Sequence, residues 1–161
     1  MPADLRIEQV PITHPDARVL VDAVQQEYVV RYGGPDHSPL VPDDLAPPSG
    51  AFYVGYLDDA PVATGAWRFR DDVERLGSTR PAEVKRMYVA PSARRQALAH
   101  LMLAHLEDSA RAAGADVMIL ETGTAQPEAM ELYVGAGYEP VEPFGHYRWS
   151  PQNRCYARRL G

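Results

Sequence analysis

Residues 81–114 constrain this chain more than any other stretch, because they combine a strand, a basic turn and a long helix. Residues 83–89 mix β-branched, aromatic and long side chains and stop before Pro91, which is typical of a strand ending. From Leu98 onward apolar residues recur at helical spacing, and Gly114 stands where a helix C-terminus usually places its glycine. The sequence therefore predicts a strand that leads directly into the N-terminus of a helix.

The turn between this strand and this helix has the properties of a phosphate-binding site. A helix N-terminus presents free backbone N–H groups and the positive end of the helix dipole. Arg94 and Arg95 add positive charge, and the small side chains of Ala97 and Ala99 allow a ligand to approach closely. A structural alternative fits this local pattern equally well, in which Ser92 caps an ordinary helix and the arginines are solvated.

The same turn resembles the cofactor-binding turn of the GNAT-type N-acetyltransferase superfamily, in which a strand runs into Arg/Gln-x-x-Gly-x-Gly/Ala. Here the pattern is Arg94-Arg95-Gln96-Ala97-Leu98-Ala99. Ala97 replaces the first glycine, which is harmless if the backbone at this position is helical, because alanine tolerates a helical backbone but not a positive φ.

A second stretch, residues 126–138, resembles another motif of the family, Asn-x-x-Ala-x-x-Leu-Tyr-x-x-x-Gly-Phe/Tyr. Gln126 replaces the asparagine, and the matching residues are Ala129, Leu132, Tyr133, Gly137 and Tyr138. Both motifs occur in the family's order, whereas the first fifty residues match only in general layout.

The resemblance implies an acetyl-CoA-dependent N-acetyltransferase that transfers an acetyl group directly to a primary amine of a small molecule or a protein. It implies an α/β fold, a single domain over residues 1–161 with a mixed, mostly antiparallel central sheet flanked by helices. The turn would hold the diphosphate of acetyl-CoA, and the pantetheine arm would lie along the central strand, where a backbone N–H stabilises the oxyanion. The cofactor-binding residues so implied are Met87, Tyr88, Val89, Arg94, Arg95, Gln96, Ala97, Leu98, Ala99 and Gln126.

Tyr133 matches the tyrosine that protonates the leaving thiolate in this family. Its structural alternative is a core tyrosine, because it also falls on the apolar stripe of its predicted helix. A non-catalytic acyl-CoA-binding sensor, which keeps the cofactor site and lacks the chemistry, is the alternative for the whole chain; the replacements at Ala97 and Gln126 leave it open.

Two glutamates are candidates for the general base. Glu83 lies where some members of the family carry a glutamate base, and strict alternation would place Glu83, Met87 and Val89 on one face of the strand. The sequence is equally compatible with Glu83 being an exposed glutamate at the start of a strand, without a catalytic role. Glu121 ends an otherwise apolar strand, so we expect it to be half-buried with a raised pKa.

The remaining segments supply the other elements of the predicted sheet. The predicted strands span 5–12, 51–57, 62–70, 115–122, 138–141 and 154–160. One predicted helix begins at Pro15 and another spans 124–136.

Residues 33–50 are rich in proline and lack periodicity, which predicts a lid or a surface loop. Asp36, Asp43 and Asp44 in this loop would attract an amine, although solvated loop acids are the favoured reading. His146 and Tyr147 are equally compatible with an acceptor pocket and a surface loop.

Composition excludes several other classes of protein. The 161 residues carry a net charge of −6, which disfavours nucleic-acid binding, and the chain holds a single cysteine, Cys155, so that no intramolecular disulfide forms. His100 and His105 are five residues apart on a helix and face different directions, so no metal site is expected. With no signal peptide and no membrane-spanning run, the sequence predicts a cytoplasmic protein. The resemblance also allows a homodimer through the C-terminal strands.

Overall fold

The computed structural model describes residues 4–36, 40–94 and 97–161. The strands in that part of the chain are β1 (Arg6–Gln9), β2 (Gly50–Leu57), β3 (Ala60–Phe69), β4 (Ala82–Val89), β5 (Val117–Gly123), β6 (Glu139–Val141) and β7 (Asn153–Arg159). The helices are α1 (Pro15–Tyr32), α2 (Leu98–Ala112) and α3 (Pro127–Gly135), with short 3₁₀ helices at Pro42–Leu45 and Pro91–Ala93.

These strands form one sheet in the order β1-β2-β3-β4-β5-β7-β6. All neighbouring strands are antiparallel except β4 and β5, which are parallel and connected through α2. The predicted fold class, a mixed and mostly antiparallel sheet flanked by helices, is confirmed. The edge strand β1 is shorter than predicted, because its pairing with β2 ends at Gln9, two residues before Pro11.

The helices cover opposite faces of the sheet. Residues Ala17, Leu20 and Val24 of α1 pack on one face against a cluster that includes Phe52 and Tyr88. The other face is covered by α2, through Met102, Leu103, Leu106 and Ala110, and by α3, through Tyr133. Both apolar stripes were predicted from helical spacing in the sequence.

A β-bulge in β4 overturns the predicted alternation along this strand. Thr64 of β3 pairs with Tyr88 and Ala66 pairs with Lys85, so β4 has one residue more than β3 in this interval. Arg86, with φ 54°, lies in the bulge. Val84 belongs to the cluster under α2, and Met87 and Val89 also pack there, whereas Tyr88 packs under α1.

Glu83 and Lys85 therefore lie on the face opposite to Met87 and Val89. The bulge coincides with a close approach of α2 to Gly65, where a Cβ atom would lie 2.7 Å from Cγ of Met102. A bulge or close backbone approach at Gly65 was predicted from the sequence, and both occur.

The parallel strands β4 and β5 pair over only a short distance. Ala82 pairs with Met118 and Glu83 with Ile119, and no further pairs form between the two strands, both of which lie wholly in the described part of the chain. Beyond these pairs the strands separate, so the backbone of residues 85–89 on the side facing β5 has no partner strand. The separation opens a cleft through the middle of the sheet.

Candidate active site

The cleft between β4 and β5 is the larger of two cavities in this region, with a volume of about 890 Å³. We call it the interstrand cleft. Residues Val84–Val89 form one wall and Leu120, Glu121 and Thr122 form the other; the start of α2 and one side of α3 complete it. Met87, Tyr88, Val89, Leu98, Ala99 and Gln126, which the family resemblance implicates in cofactor binding, all line this cleft.

The turn before α2 has a left-handed backbone at Ala97, with φ 60° and ψ 19°. The condition under which the replacement of glycine would be harmless, a helical backbone at Ala97, is not met, because the turn brings the chain into α2 through a left-handed conformation that favours glycine. Arg95 and Gln96 lie outside the described residues. Ala97 has no side-chain acceptor, and the first helical bond in α2 runs from Leu101 N–H to Ala97 C=O. The N–H groups of Leu98 and Ala99 therefore precede the first helical hydrogen bond, and both residues line the cleft.

Arg94 lies at this end of the cleft. Its Nε donates to the Val89 carbonyl at 2.9 Å, and its guanidinium forms an ion pair with Glu27 of α1. Glu27 and Arg31 also line the cleft. The cationic side chain is thus present as predicted, but a carboxylate of the same chain is its partner in this structure.

Tyr133 is 6% exposed and reaches the cleft from the face covered by α2 and α3. Its ring packs edge-on against Tyr138, with 5.9 Å between the ring centroids. Burial, reinforced by nearby Tyr28, raises the pKa of the Tyr133 hydroxyl well above its ordinary value. The hydroxyl makes no hydrogen bond to any residue within 4–36, 40–94 and 97–161. Tyr133 is therefore part of the core and also lines the cleft, as a protonated phenol.

Glu121 lies on the opposite face of the sheet, at the point where the cleft joins the second cavity. Burial raises the pKa of Glu121, while a hydrogen bond from Asn153 and the charge of Lys85 act in the other direction. Asn153 Nδ2 donates to Glu121 Oε2 at 2.8 Å. Oδ1 of the same amide accepts from the Cys155 thiol at 3.1 Å, which fixes the orientation of the amide. A partly buried carboxylate with a raised pKa, held from one side and open to two cavities, has the properties of a general base.

Glu83 has a different environment. It is 2% exposed, and its Oε1 accepts hydrogen bonds from Arg68 Nε at 3.0 Å and from Arg70 Nη1 at 2.9 Å. It is absent from the described linings of both cavities. The sequence alternative of an exposed glutamate is wrong, and the carboxylate is instead the centre of a buried ion-pair cluster.

The second cavity, which we call the side pocket, has a volume of about 390 Å³ and adjoins the cleft. Its walls come from the end of α1 and the residues after it, from the end of β5, and from the loop that precedes β7. Its principal side chains are Tyr28, Tyr32, Asp36, Glu121, Tyr147 and Asn153.

Tyr32 crosses over the end of β5 because Gly123 has no side chain. A Cβ atom at Gly123 would lie within 2.2 Å of the Tyr32 hydroxyl oxygen. The Tyr32 hydroxyl donates to Gln126 Oε1 at 3.2 Å, so Gln126 contributes to both cavities. Gly145 has a similar role beside Glu121, since a Cβ atom there would lie 2.8 Å from Glu121 Oε2.

Only one of the three aspartates in the proline-rich loop reaches the cavities. Asp36 lines both of them and forms an ion pair with Arg86, with 3.3 Å between Oδ2 and Nη1. Asp43 and Asp44 lie in a 3₁₀ helix, and Asp44 pairs with Arg68.

Several residues that line the site were not predicted from the sequence. Tyr28 and Tyr32 are four residues apart on α1 and share one face, a spacing that could have drawn attention to them. Nothing in the local sequence of Asn153 indicates its contact with Glu121. The sequence left open whether Tyr147 lines a pocket or lies in a surface loop. Tyr147 lines the side pocket, and its ring packs against His146 with a centroid distance of 4.7 Å.

In residues 4–36, 40–94 and 97–161, no three His, Cys, Asp or Glu side chains are grouped so that they could hold a metal ion. Within the same residues, no helix combines the length and apolarity needed to cross a membrane.

Comparison with known proteins identifies the family to which this fold and cleft belong. The model of the acetyltransferase (GNAT) family matches residues 21–138. The chain therefore belongs to the GNAT acetyltransferase family, as the two sequence motifs indicated.

Individual relatives agree with this assignment. The chain is 44% identical over 69 residues to a protein named IAA acetyltransferase from Azospirillum brasilense; this match covers 43% of the chain and 45% of that protein. A Klebsiella pneumoniae protein assigned as an acyl-CoA N-acyltransferase superposes with a TM-score of 0.77 at 25% identity, covering 98% of this chain and 99% of the other. A GNAT acetyltransferase from Elizabethkingia anophelis, solved with acetyl-CoA bound, has the same fold, with a TM-score of 0.67 at 13% identity over 97% of this chain and 98% of the other.

Proposed function

We propose that this protein is an acetyl-CoA-dependent N-acetyltransferase that transfers an acetyl group directly to a primary amine. The observation that carries the proposal is the continuity of the two cavities, which meet at Glu121 and place its carboxylate between a cleft for an extended ligand and a smaller pocket. The proposed catalytic unit is a single domain, because all the described strands belong to one sheet.

The residues of the interstrand cleft fit acetyl-CoA. The N–H groups at the start of α2, which precede its first helical hydrogen bond, suit the diphosphate, and Arg94 is placed to contribute charge once it exchanges its ion pair with Glu27 for a phosphate. On the side facing β5 the backbone of residues 87–89 has no partner strand and offers strand-like hydrogen bonds to the pantetheine arm, and one of its N–H groups is proposed to polarise the acyl carbonyl.

Acetyl-CoA supplies the acetyl group as a thioester, and its transfer leaves a thiol. Glu121 removes a proton from the acceptor, whose ammonium form dominates at neutral pH because the pKa of a free alkylamine is near ~10.4. Burial makes Glu121 a stronger base than an exposed glutamate. The neutral amine attacks the thioester carbonyl, the C–N bond forms and the C–S bond breaks. Tyr133, which remains protonated at neutral pH, supplies a proton to the departing sulfur from the other face of the sheet, and the second proton lost by the nitrogen restores the phenol through solvent.

Glu83 is assigned a positioning and stabilising role in this proposal. Its hydrogen bonds to two arginines leave it poorly placed to accept a proton from the substrate, since protonation would break a buried ion-pair cluster. The assignment of Glu83 as the base, suggested by the sequence, is therefore replaced here by Glu121.

Calorimetric titration with acetyl-CoA, followed by measurement of thiol release with a panel of amines, tests the proposal. Arg94→Ala should weaken acetyl-CoA binding by about tenfold, because a charge-assisted hydrogen bond contributes roughly 1.5–3 kcal/mol. Arg6→Ala is the matched control, since Arg6 pairs with Asp59 at the far edge of the sheet. Absence of binding by the wild-type protein would overturn the proposal, and binding without turnover on any amine would favour the acyl-CoA sensor instead.

A further inference from the structure

The side pocket differs from the interstrand cleft in the charge of its lining. Among its described residues it has two carboxylates, those of Asp36 and Glu121, and no lysine, arginine or histidine. An acceptor that carries its own carboxylate would meet like charge at short range, whereas an ammonium group would be attracted.

The guanidinium of Arg86 is paired with a carboxylate of this pocket. Arg86 lines the cleft and not the described wall of the side pocket, and its Nη1 is paired with Asp36 at 3.3 Å. The Arg86 side chain is only 10% exposed, so Asp36 neutralises it in a largely buried setting. As long as this pair is intact, Arg86 does not offer a free cation to an amino-acid carboxylate, and the described lining of the side pocket itself contains no cationic side chain.

The apolar part of the pocket is aromatic. Tyr28, Tyr32 and Tyr147 contribute three rings, and Tyr28 and Tyr32 meet edge to face with 6.3 Å between their centroids. Aromatic rings bind flat apolar groups and also attract cations through their faces. The volume of about 390 Å³ falls in the range of small-molecule sites, roughly 300–1,000 Å³.

We propose that the acceptor is a small primary amine with an aromatic or similarly flat apolar body and without a carboxylate. This inference rests on the proposed acetyl transfer and names its substrate class. The ammonium end lies towards Glu121, where the two cavities meet, and the body lies among the tyrosines.

Matched pairs of acceptors test this proposal by thiol release from acetyl-CoA. 2-Phenylethylamine is compared with phenylalanine, tryptamine with tryptophan, and each amine with a lysine-containing peptide. We expect kcat/KM to be higher for the amine than for its amino acid by about tenfold or more, which corresponds to about 1.4 kcal/mol of discrimination.

Asp36→Asn sharpens the test, because it releases the Arg86 guanidinium. The preference for the amine over its amino acid should fall by about tenfold, since a buried unpaired cation favours a carboxylate. Asp108→Asn is the control, because Asp108 pairs with Arg111 on the exposed surface of α2 and should leave the preference unchanged.

The proposal is overturned if the amino acids or the peptide are acetylated as well as the amines, or if another amine of the panel is turned over and none of these aromatic amines is. In both outcomes acetyl-CoA binds and acetyl transfer occurs, whereas the proposed function fails when acetyl-CoA does not bind or when no amine at all is turned over.

Discussion

The strand pair β4–β5 is closed at one end and open at the other, and each end carries a glutamate on the same face of the sheet. At the closed end, where Glu83 pairs with Ile119, the carboxylate is surrounded by Arg68 and Arg70. At the open end, Glu121 has the amide of Asn153 beside it and two cavities in front of it.

The comparison shows that residue type and burial do not identify a catalytic carboxylate. Glu83 is buried and paired with two arginines, whereas burial raises the pKa of the half-buried Glu121 against the opposing effects of the Asn153 hydrogen bond and the Lys85 charge. Where the two strands separate, the Glu121 carboxylate faces cavities that can hold a substrate, whereas at the paired end the Glu83 carboxylate is bound by arginines.

Exchanging each glutamate for glutamine should give the largest difference between the two ends. Glu121→Gln should lower kcat by about 10² or more, because it removes the general base. Glu83→Gln should leave most of the activity at a permissive temperature and lower the free energy of unfolding by about 3 kcal/mol, because it leaves buried arginines without a charged partner. Thiol-release kinetics measure the effect on kcat, and denaturant unfolding measures the effect on stability. A similar loss of kcat in both variants would contradict the assignment of different roles to the two glutamates.

The pH dependence follows from the raised pKa of Glu121. The base acts only when ionised, so kcat/KM should fall on the acid side at a pH above the ordinary value of 4.5 for a glutamate, and Glu121→Gln should remove this limb. A carboxyl group whose pKa is raised in the folded state stabilises the protein below its unfolded pKa and loses that contribution as the pH rises through the folded pKa. Glu121→Gln should therefore be more stable than the wild type at neutral pH, with the gain vanishing in acid.

Removing the hydroxyl of Tyr133 should have the next largest effect. Tyr133→Phe should lower kcat by about 10²-fold or somewhat less, with acetyl-CoA affinity nearly unchanged, because general acid catalysis is lost and the ring remains in place. Tyr138→Phe is the matched control, since the Tyr138 ring neighbours that of Tyr133 and its hydroxyl donates to Glu107 Oε2 at 2.8 Å, away from the cleft. Equal activity of the wild type and Tyr133→Phe would leave Tyr133 a core residue only.

A substitution at Gly145 tests whether activity at the open end of β4–β5 depends on the position of the Glu121 carboxylate. Gly145→Ala should lower kcat by about tenfold, because the new methyl group would displace the carboxylate by part of an ångström. Gly77→Ala controls for backbone strain, since Gly77 has a nearly identical φ of 85° and nothing within 4 Å of its would-be Cβ. If Gly145→Ala and Gly77→Ala lower kcat by the same factor, backbone strain alone explains the effect.

Ala97→Gly should have the smallest effect and should be favourable. At a left-handed position glycine relieves about 1 kcal/mol of strain, partly offset by the greater freedom of the unfolded chain. The thermal midpoint and the affinity for acetyl-CoA should therefore stay the same or rise slightly. A fall in stability of about 1 kcal/mol, as expected for glycine inside a helix, would contradict the left-handed backbone at this turn.

The sequence predicted the order of strands and helices well because hydrophobic periodicity is a local property. The strand before Pro91, the helix from Leu98 and the buried strand before Glu121 were each visible within a short window. Tyr133 and Glu121 could be named as candidates for the same reason, one from a motif and one from a charge at the end of an apolar run.

The parts that the sequence did not reveal depend on contacts between distant segments. The bulge at Arg86 shifts the faces of β4, and it occurs beside Gly65, where Met102 of α2 packs directly on the sheet. Likewise, Asn153 reaches Glu121 only because β7 pairs with β5. No local pattern could have placed Glu83 and Met87 on opposite faces.

A crystal structure of the protein with acetyl-CoA would test the central claim most directly. The open end of β4–β5 should hold the acetyl group between Glu121 and Tyr133, with the diphosphate at the N-terminus of α2 and Arg94 released from Glu27. An acetyl group bound outside the interstrand cleft, or within reach of Glu83 rather than Glu121, would contradict the assignment of chemistry to the open end.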